Sequence, residues 1–227
     1  MKTPDFALLN EAGLNLQAIF NIPDLPAELV ADIRRRFDPE CQYRQLILIG
    51  HGGKTLWASL KASGINSEDP IDDFSSEKLR QALAGQRHTL IYPAKDSVGL
   101  QALGKLAGWH HTSPFMVGIN QSWGSWYAYR AVALSDTDFV PTPPLVSISP
   151  CGTCQDQPCI SACPAQAVSD SAFDLNKCVA YRKQATSLCR ETCLARISCP
   201  VASEHRYDDE QIRHTYSISM RMIEQYY

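Results

Sequence analysis

Nine cysteines stand in this chain of 227 residues, and eight of them fall between Cys151 and Cys199. A disulfide framework would not leave the first 150 residues almost bare. In a reducing compartment such a cluster reads as metal binding before it reads as disulfides. Cys41, the ninth, reads as an ordinary small apolar residue. The start, MKTPDFALLNEAG, has no apolar core and no small-residue cleavage site, so it does not read as a secretory signal. No apolar run approaches the ~20 residues of a membrane span. The expected compartment is the cytoplasm, with no membrane contact.

The cysteines form two groups. Cys151, Cys154, Cys159 and Cys163 end in Cys163-Pro164; Cys178, Cys189, Cys193 and Cys199 end in Cys199-Pro200. Bacterial two-cluster ferredoxins use a Cys-x2-Cys-x2-Cys-x3-Cys-Pro run whose fourth cysteine ligates the other cluster. Closely spaced cysteines on a tight loop reach one cube, and the cysteine before proline faces the neighbouring cube. Here the spacing is stretched: four residues separate Cys154 from Cys159. The crossed assignment gives cluster one Cys151, Cys154, Cys159 and Cys199, and cluster two Cys163, Cys178, Cys189 and Cys193. The expected cofactors are therefore two 4Fe–4S clusters. Two structural zincs or scattered buried thiols are the competing readings, although zinc favours compact pairs at finger-like spacing.

The formal net charge is −3. Eight thiolates and two oxidised cubes leave the loaded chain near about −7, which disfavours nucleic-acid binding. Hydrophobic residues at 44% and charged residues at 20% are ordinary globular values.

Along the chain, residues 1–20 read as helical, and 27–37 as a short helix opened by Pro26. Residues 45–49 and 89–92 read as strands, and 55–62, 76–84 and 100–107 as helices, with 69–74 as a loop. Residues 115–120 and 126–134 read as a strand pair. Prolines 141, 143, 144 and 150 mark a boundary. The expected class is α+β: a sheet-and-helix domain over 1–145, a two-cluster ferredoxin-like module over 146–205, and a C-terminal helix or tail over 206–227. Gly50-His51-Gly52-Gly53-Lys54-Thr55 lacks Walker A spacing, because Leu48 stands where glycine is needed, and reads as a strand-to-helix turn. His51 and His88 read as loop residues, and His110-His111 as a solvent-facing loop pair.

The order Leu106-Ala107-Gly108-Trp109, Val117-Gly118-Ile119-Asn120-Gln121, Gly124-Ser125-Trp126, proline linker, Cys151-Gly152-x-Cys154, Ala162-Cys163-Pro164 and Lys177-Cys178-Val179-Ala180-Tyr181 resembles epoxyqueuosine reductase. That family is a cobalamin-dependent group of iron–sulfur enzymes of tRNA modification, more distantly similar to reductive dehalogenases. The resemblance implies an α/β cofactor domain fed by a two-cluster module, and cobalamin contacts at Gly108, Trp109, His110, Gly124, Ser125 and Trp126. Counted back from Trp109, the family's catalytic aspartate falls at about Tyr92-Pro93; Asp96 is the nearest acid, out of register. No catalytic residue is assigned. The chain stops 28 residues after Cys199, which implies a short divergent member without the family's C-terminal helical-repeat region.

Two functions stay open. One is a reductase passing electrons through two clusters to cobalamin for reduction of a small-molecule substrate, with no tRNA bound and a flavodoxin- or ferredoxin-type electron donor as partner. The other is a non-catalytic electron carrier whose N-terminal domain docks a partner.

Overall fold

The computed structural model describes residues 3–94 and 98–227. The chain divides into two compact units: residues 1–108 with 128–146, and residues 109–127 with 147–227.

The first unit is built on a four-stranded sheet of order β1–β2–β6–β3: β1 (Leu16–Asn21), β2 (Gln45–Gly52), β3 (His88–Tyr92) and β6 (Tyr127–Ser135). β1 runs antiparallel to β2 with Ile19 opposite Ile47, and β3 antiparallel to β6 with Leu90 opposite Ala133. The helix expected over residues 1–20 is only α1 (Ala7–Glu11). Leu14 N–H closes onto the Leu9 carbonyl at 2.8 Å, and the chain then enters β1. Leu14, Leu16 and Phe20 fit a loose helical face, but pairing with the apolar β2 wins over that weak local preference.

β2 is buried along its whole length, as its unbroken Leu-Ile-Leu-Ile run requires of a strand covered on both faces. Around the sheet lie α2 (Ala27–Arg36), α3 (Thr55–Ser63), α4 (Pro70–Ala82) and α5 (Leu100–Leu106). α4 absorbs the segment expected as a loop. Pro70 sits in its first turn with Asp72 and Asp73, the arrangement that suits the missing donor and the positive helix end. Leu9, Ile47, Ile49, Trp57, Phe74 and Leu79 share one core.

The second unit starts with β4 (His111–Thr112) and β5 (Gly118–Ile119), paired antiparallel. The strand pair expected between 115–120 and 126–134 is not formed, because β6 joins the large sheet instead. Short helices follow: α6 (Pro158–Ser161), α7 (Leu175–Arg182) and α8 (Leu194–Ile197), then the long α9 (Asp209–Tyr226). Asp174 caps α7 by accepting from Lys177 N–H at 3.0 Å, and Asp208 caps α9 by accepting from Gln211 N–H at 2.8 Å.

Among the described residues, small cores take the place of one large one. Phe115 and Ile119 pack with Cys159, Val168, Ala195 and Cys199; Trp126 packs with Tyr207 and Ile212; Val179 packs with Met220 and Ile223. Besides the division after residue 146, the two units also part after residues 108 and 127. Residues 109–127, expected in the first domain, group with the cysteine-rich segment through Phe115, Ile119 and Trp126, and α9 belongs to the same unit.

Candidate functional site

Local geometry brings the eight clustered cysteines into two sets of four. Cys154 leads into a loop where Gln157 takes a left-handed conformation (φ 37°), and Pro158 opens the turn of α6 that carries Cys159. Cys163 follows α6, with its N–H on the Ile160 carbonyl at 3.2 Å. Cys178 rides on α7, Cys193 immediately precedes α8, and Cys199 follows it. Cys151, Cys154, Cys159 and Cys199 line one cavity with Phe115 and Val201, enclosing about 30 Å³. Cys163, Cys178, Cys189 and Cys193 line a second, of about 250 Å³, walled by Val168, Val179 and Ile223. The second volume approaches that of a small-ligand pocket, ~300 Å³. The first is tighter.

Burial pushes the thiols of Cys151, Cys159, Cys189 and Cys199 up, and that of Cys178 up to about 11. Neighbouring thiols add to this: Cys199 acts on Cys151 and Cys159, while Cys193 and Cys163 act on Cys178 and Cys189. For these five, every influence of one cysteine on another stays inside its own set. A positive centre beside these five thiols would favour loss of their protons. Among the described residues, no three His, Cys, Asp or Glu side chains converge as the ligands of one ion do.

One orphaned donor fits an anionic iron–sulfur group. Thr192 lines the second cavity, and its Oγ1 is buried with no hydrogen-bond partner. Arg206 Nε is also buried without a hydrogen-bond partner, and this guanidinium pulls the Cys199 thiol down against the larger effect of burial. Cys41, by contrast, is exposed in the turn after α2 at φ 53°, which corrects its reading as an apolar packing residue.

The six positions expected to contact a cofactor lie differently. Gly108 belongs to the first unit, where a Cβ would come within 2.0 Å of the Leu145 carbonyl oxygen. Trp109, His110, Gly124, Ser125 and Trp126 belong to the second. A Cβ on Gly124 would meet the Val201 carbonyl oxygen at 2.2 Å. Ser125 and Trp126 are fully covered: Arg196 donates to the Ser125 carbonyl and stacks over the Trp126 ring at 4.5 Å. Trp109 is buried and accepts from Asn120 Nδ2 at 3.0 Å. The chain's own packing thus fills these positions, and the described residues offer no cradle there for a corrin ring. His110 is also buried, which corrects its expected solvent-facing position, and His111 Nε2 lies 2.9 Å from Ser147 Oγ.

A polar group in the first unit escaped sequence reasoning. His51, expected in a loop, is fully buried at the end of β2, and its Nδ1 accepts from Arg130 Nε at 2.9 Å. Burial pushes both the Asp72 carboxyl and the Tyr92 hydroxyl up; Arg130 opposes the shift in each, and Asp72 reinforces it in Tyr92. Four elements supply these side chains, and 79 positions separate His51 from Arg130. No sequence motif announces such a grouping. Tyr92 stands where the resemblance puts an aspartate, and Asp96 lies outside the described residues.

No family model and no curated protein match the sequence. Solved structures match its fold. Epoxyqueuosine reductase from Bacillus subtilis superposes with a TM-score of 0.52 at 13% identity, over 89% of this chain and 66% of that one. Epoxyqueuosine reductase with a tRNA-Tyr epoxyqueuosine-modified stem loop gives 0.53 at 12% identity, over 91% and 67%. A catabolic reductive dehalogenase in complex with 3-bromo-4-hydroxybenzoic acid gives 0.53 at 14% identity, over 96% of this chain and 34% of that one. The chain spans about two thirds of the length of the epoxyqueuosine reductases. It has an α+β fold similar to theirs, the class expected from the order of its elements.

Proposed function

We propose that this protein is an iron–sulfur reductase. Cys151, Cys154, Cys159 and Cys199 hold one 4Fe–4S cluster, and Cys163, Cys178, Cys189 and Cys193 hold the second, in a ferredoxin-like module. The clusters supply one-electron transfer. The chain's own part is to hold the sulfurs, exclude water from them with Phe115, Val168 and Val179, and aim donors such as Thr192 at them. The observation that carries this reading is the sorting of eight thiols into two sets of four, each around its own cavity.

Within the proposal, the electrons come from a flavodoxin- or ferredoxin-type protein in the cytoplasm. The molecule reduced is a small one rather than a tRNA, and cobalamin would be the group that supplies the reducing chemistry. Cobalamin rests on likeness of fold. The six residues first linked to it argue the other way, since Leu145, Val201 and Arg196 close their surroundings. That closure favours the second reading, an electron carrier whose N-terminal unit docks a partner. The His51–Arg130 pair with Asp72 and Tyr92 favours the enzyme, because shifted titratable groups gathered from several elements mark reactive sites.

Metal and sulfide analysis of anaerobically purified protein tests the clusters; the expected result is about eight irons and eight sulfides per chain. Adding cobalamin to that protein then separates the two readings. A stoichiometric change in the corrin spectrum supports the reductase, and no change with full iron leaves the carrier. Zinc in place of iron ends both.

A further inference from the structure

Arg182 is the last residue of α7, and 6% of it is exposed. Its Nε donates to the Cys189 carbonyl at 3.0 Å and its Nη1 to Ser219 Oγ at 2.9 Å. Its Nη2 donates to the carbonyls of Arg190 and Tyr216, both at 3.2 Å. Every acceptor is neutral. Among the described residues, no carboxylate lies within ion-pair distance of this guanidinium. An arginine does not shed its proton, and a buried charge without a counter-charge is strongly unfavourable. The hydrogen bonds fix the side chain's position but leave its charge unbalanced.

What Arg182 does face is the larger sulfur-lined cavity, whose wall it shares with Cys163, Cys178, Cys189 and Cys193. A 4Fe–4S cube on four thiolates carries a net charge of about −2 when oxidised and −3 when reduced. We propose that Arg182 is the counter-charge of the cluster held by this second set and raises that cluster's reduction potential. The inference rests on the reading of the cysteines given above. The step it influences is the addition of one electron to the cube from a one-electron donor, with no bond made or broken and no proton taken up. A fixed cation beside the cube favours the more negative state. The carbonyls and Ser219 act as positioning groups that hold the guanidinium at the cavity wall. At the first set, the cation acting on Cys199 is Arg206, which is only half-buried.

The test is potentiometric titration of the anaerobic, iron-loaded full chain, followed by electron paramagnetic resonance, beside iron counts on the same samples. Arg182→Met is expected to lower one of the two midpoint potentials by about tenfold in the reduction equilibrium constant, ~59 mV for one electron, and to leave the other in place. Arg182→Lys keeps the charge, and Ser219→Ala removes only one positioning contact; each is expected to shift the same midpoint by less than half as much. If Arg182→Met keeps only four irons while Arg182→Lys keeps eight, the charge requirement is met through retention, and the proposal stands. Unchanged midpoints in an iron-replete Arg182→Met overturn it. So do equal shifts in all three variants, or loss of four irons in Lys and Met alike, since geometry rather than charge would then be responsible. Wild-type protein without iron defeats the cluster reading itself, a result read separately from any variant.

Discussion

The two units solve the folding problem by different means. The first has a sheet whose central strand, β2, is buried from end to end, with Trp57, Phe74 and Leu79 from the surrounding helices in one core. Among the described residues, the second has small cores, one of which includes Cys159 and Cys199, and two buried arginines, Arg182 and Arg196. Hydrocarbon burial is enough to explain the first. In the second, short helices of four to eight residues cannot stand alone. Their thiols and guanidinium groups are poor core material unless something between them completes the charge balance. On the proposed reading, one unit carries its own stability, and the other borrows from a bound iron–sulfur group.

The largest effect expected from this contrast is on removal of iron. Chelation under anaerobic conditions should raise amide exchange across residues 147–227 by ~100-fold or more, while β2 keeps its protection. Hydrogen exchange read by mass spectrometry checks this, and equal deprotection of both units would break the comparison. Next comes Leu48→Ala in β2. Leu48 is fully buried, so the loss should be about 2–5 kcal/mol in denaturant unfolding of the first unit, with the iron count unchanged. Cys178→Ser sharpens the division inside the second unit. Iron should fall from about eight to about four per chain, with one paramagnetic signal surviving. Gly124→Ala should cost about 1–3 kcal/mol, because a Cβ there meets the Val201 carbonyl at a backbone φ of +56°.

The smallest effect concerns pH. The Asp72 carboxyl is raised mainly by burial, so the folded state holds its proton more tightly than the unfolded chain. Its contribution is therefore favourable at low pH and is lost as pH rises through its raised value. Asp72→Asn should flatten that loss and leave the protein slightly more stable at neutral pH, as thermal melts across pH 4–7 would record.

Much of the second unit was legible because cysteine spacing is a local signal. Cys163-Pro164 and Cys199-Pro200 point to an exchange of ligands between groups, the reading on which the proposed clusters rest. Helix ends at Pro26, Pro70 and Asp208 follow equally local rules, although Pro70 was read as part of a loop. What sequence reading missed is non-local. Phe115, Ile119 and Trp126 suit a core in either unit, and nothing nearby says which. Residues 16–21 became a strand because β2 lies beside them. His51 looks like a turn residue until Arg130 arrives from a strand 79 positions away.

The proline-rich stretch has an effect beyond punctuation. Thr142 donates its N–H to the Ile19 carbonyl at 3.0 Å and accepts from Ile19 N–H on its Oγ1 at 3.1 Å, so it occupies the outer rim of β1. Pro141, Pro143 and Pro144 have no amide hydrogen with which to recruit another strand. The sheet is sealed there against lateral growth, and the chain is shielded on that side from fibril-like stacking.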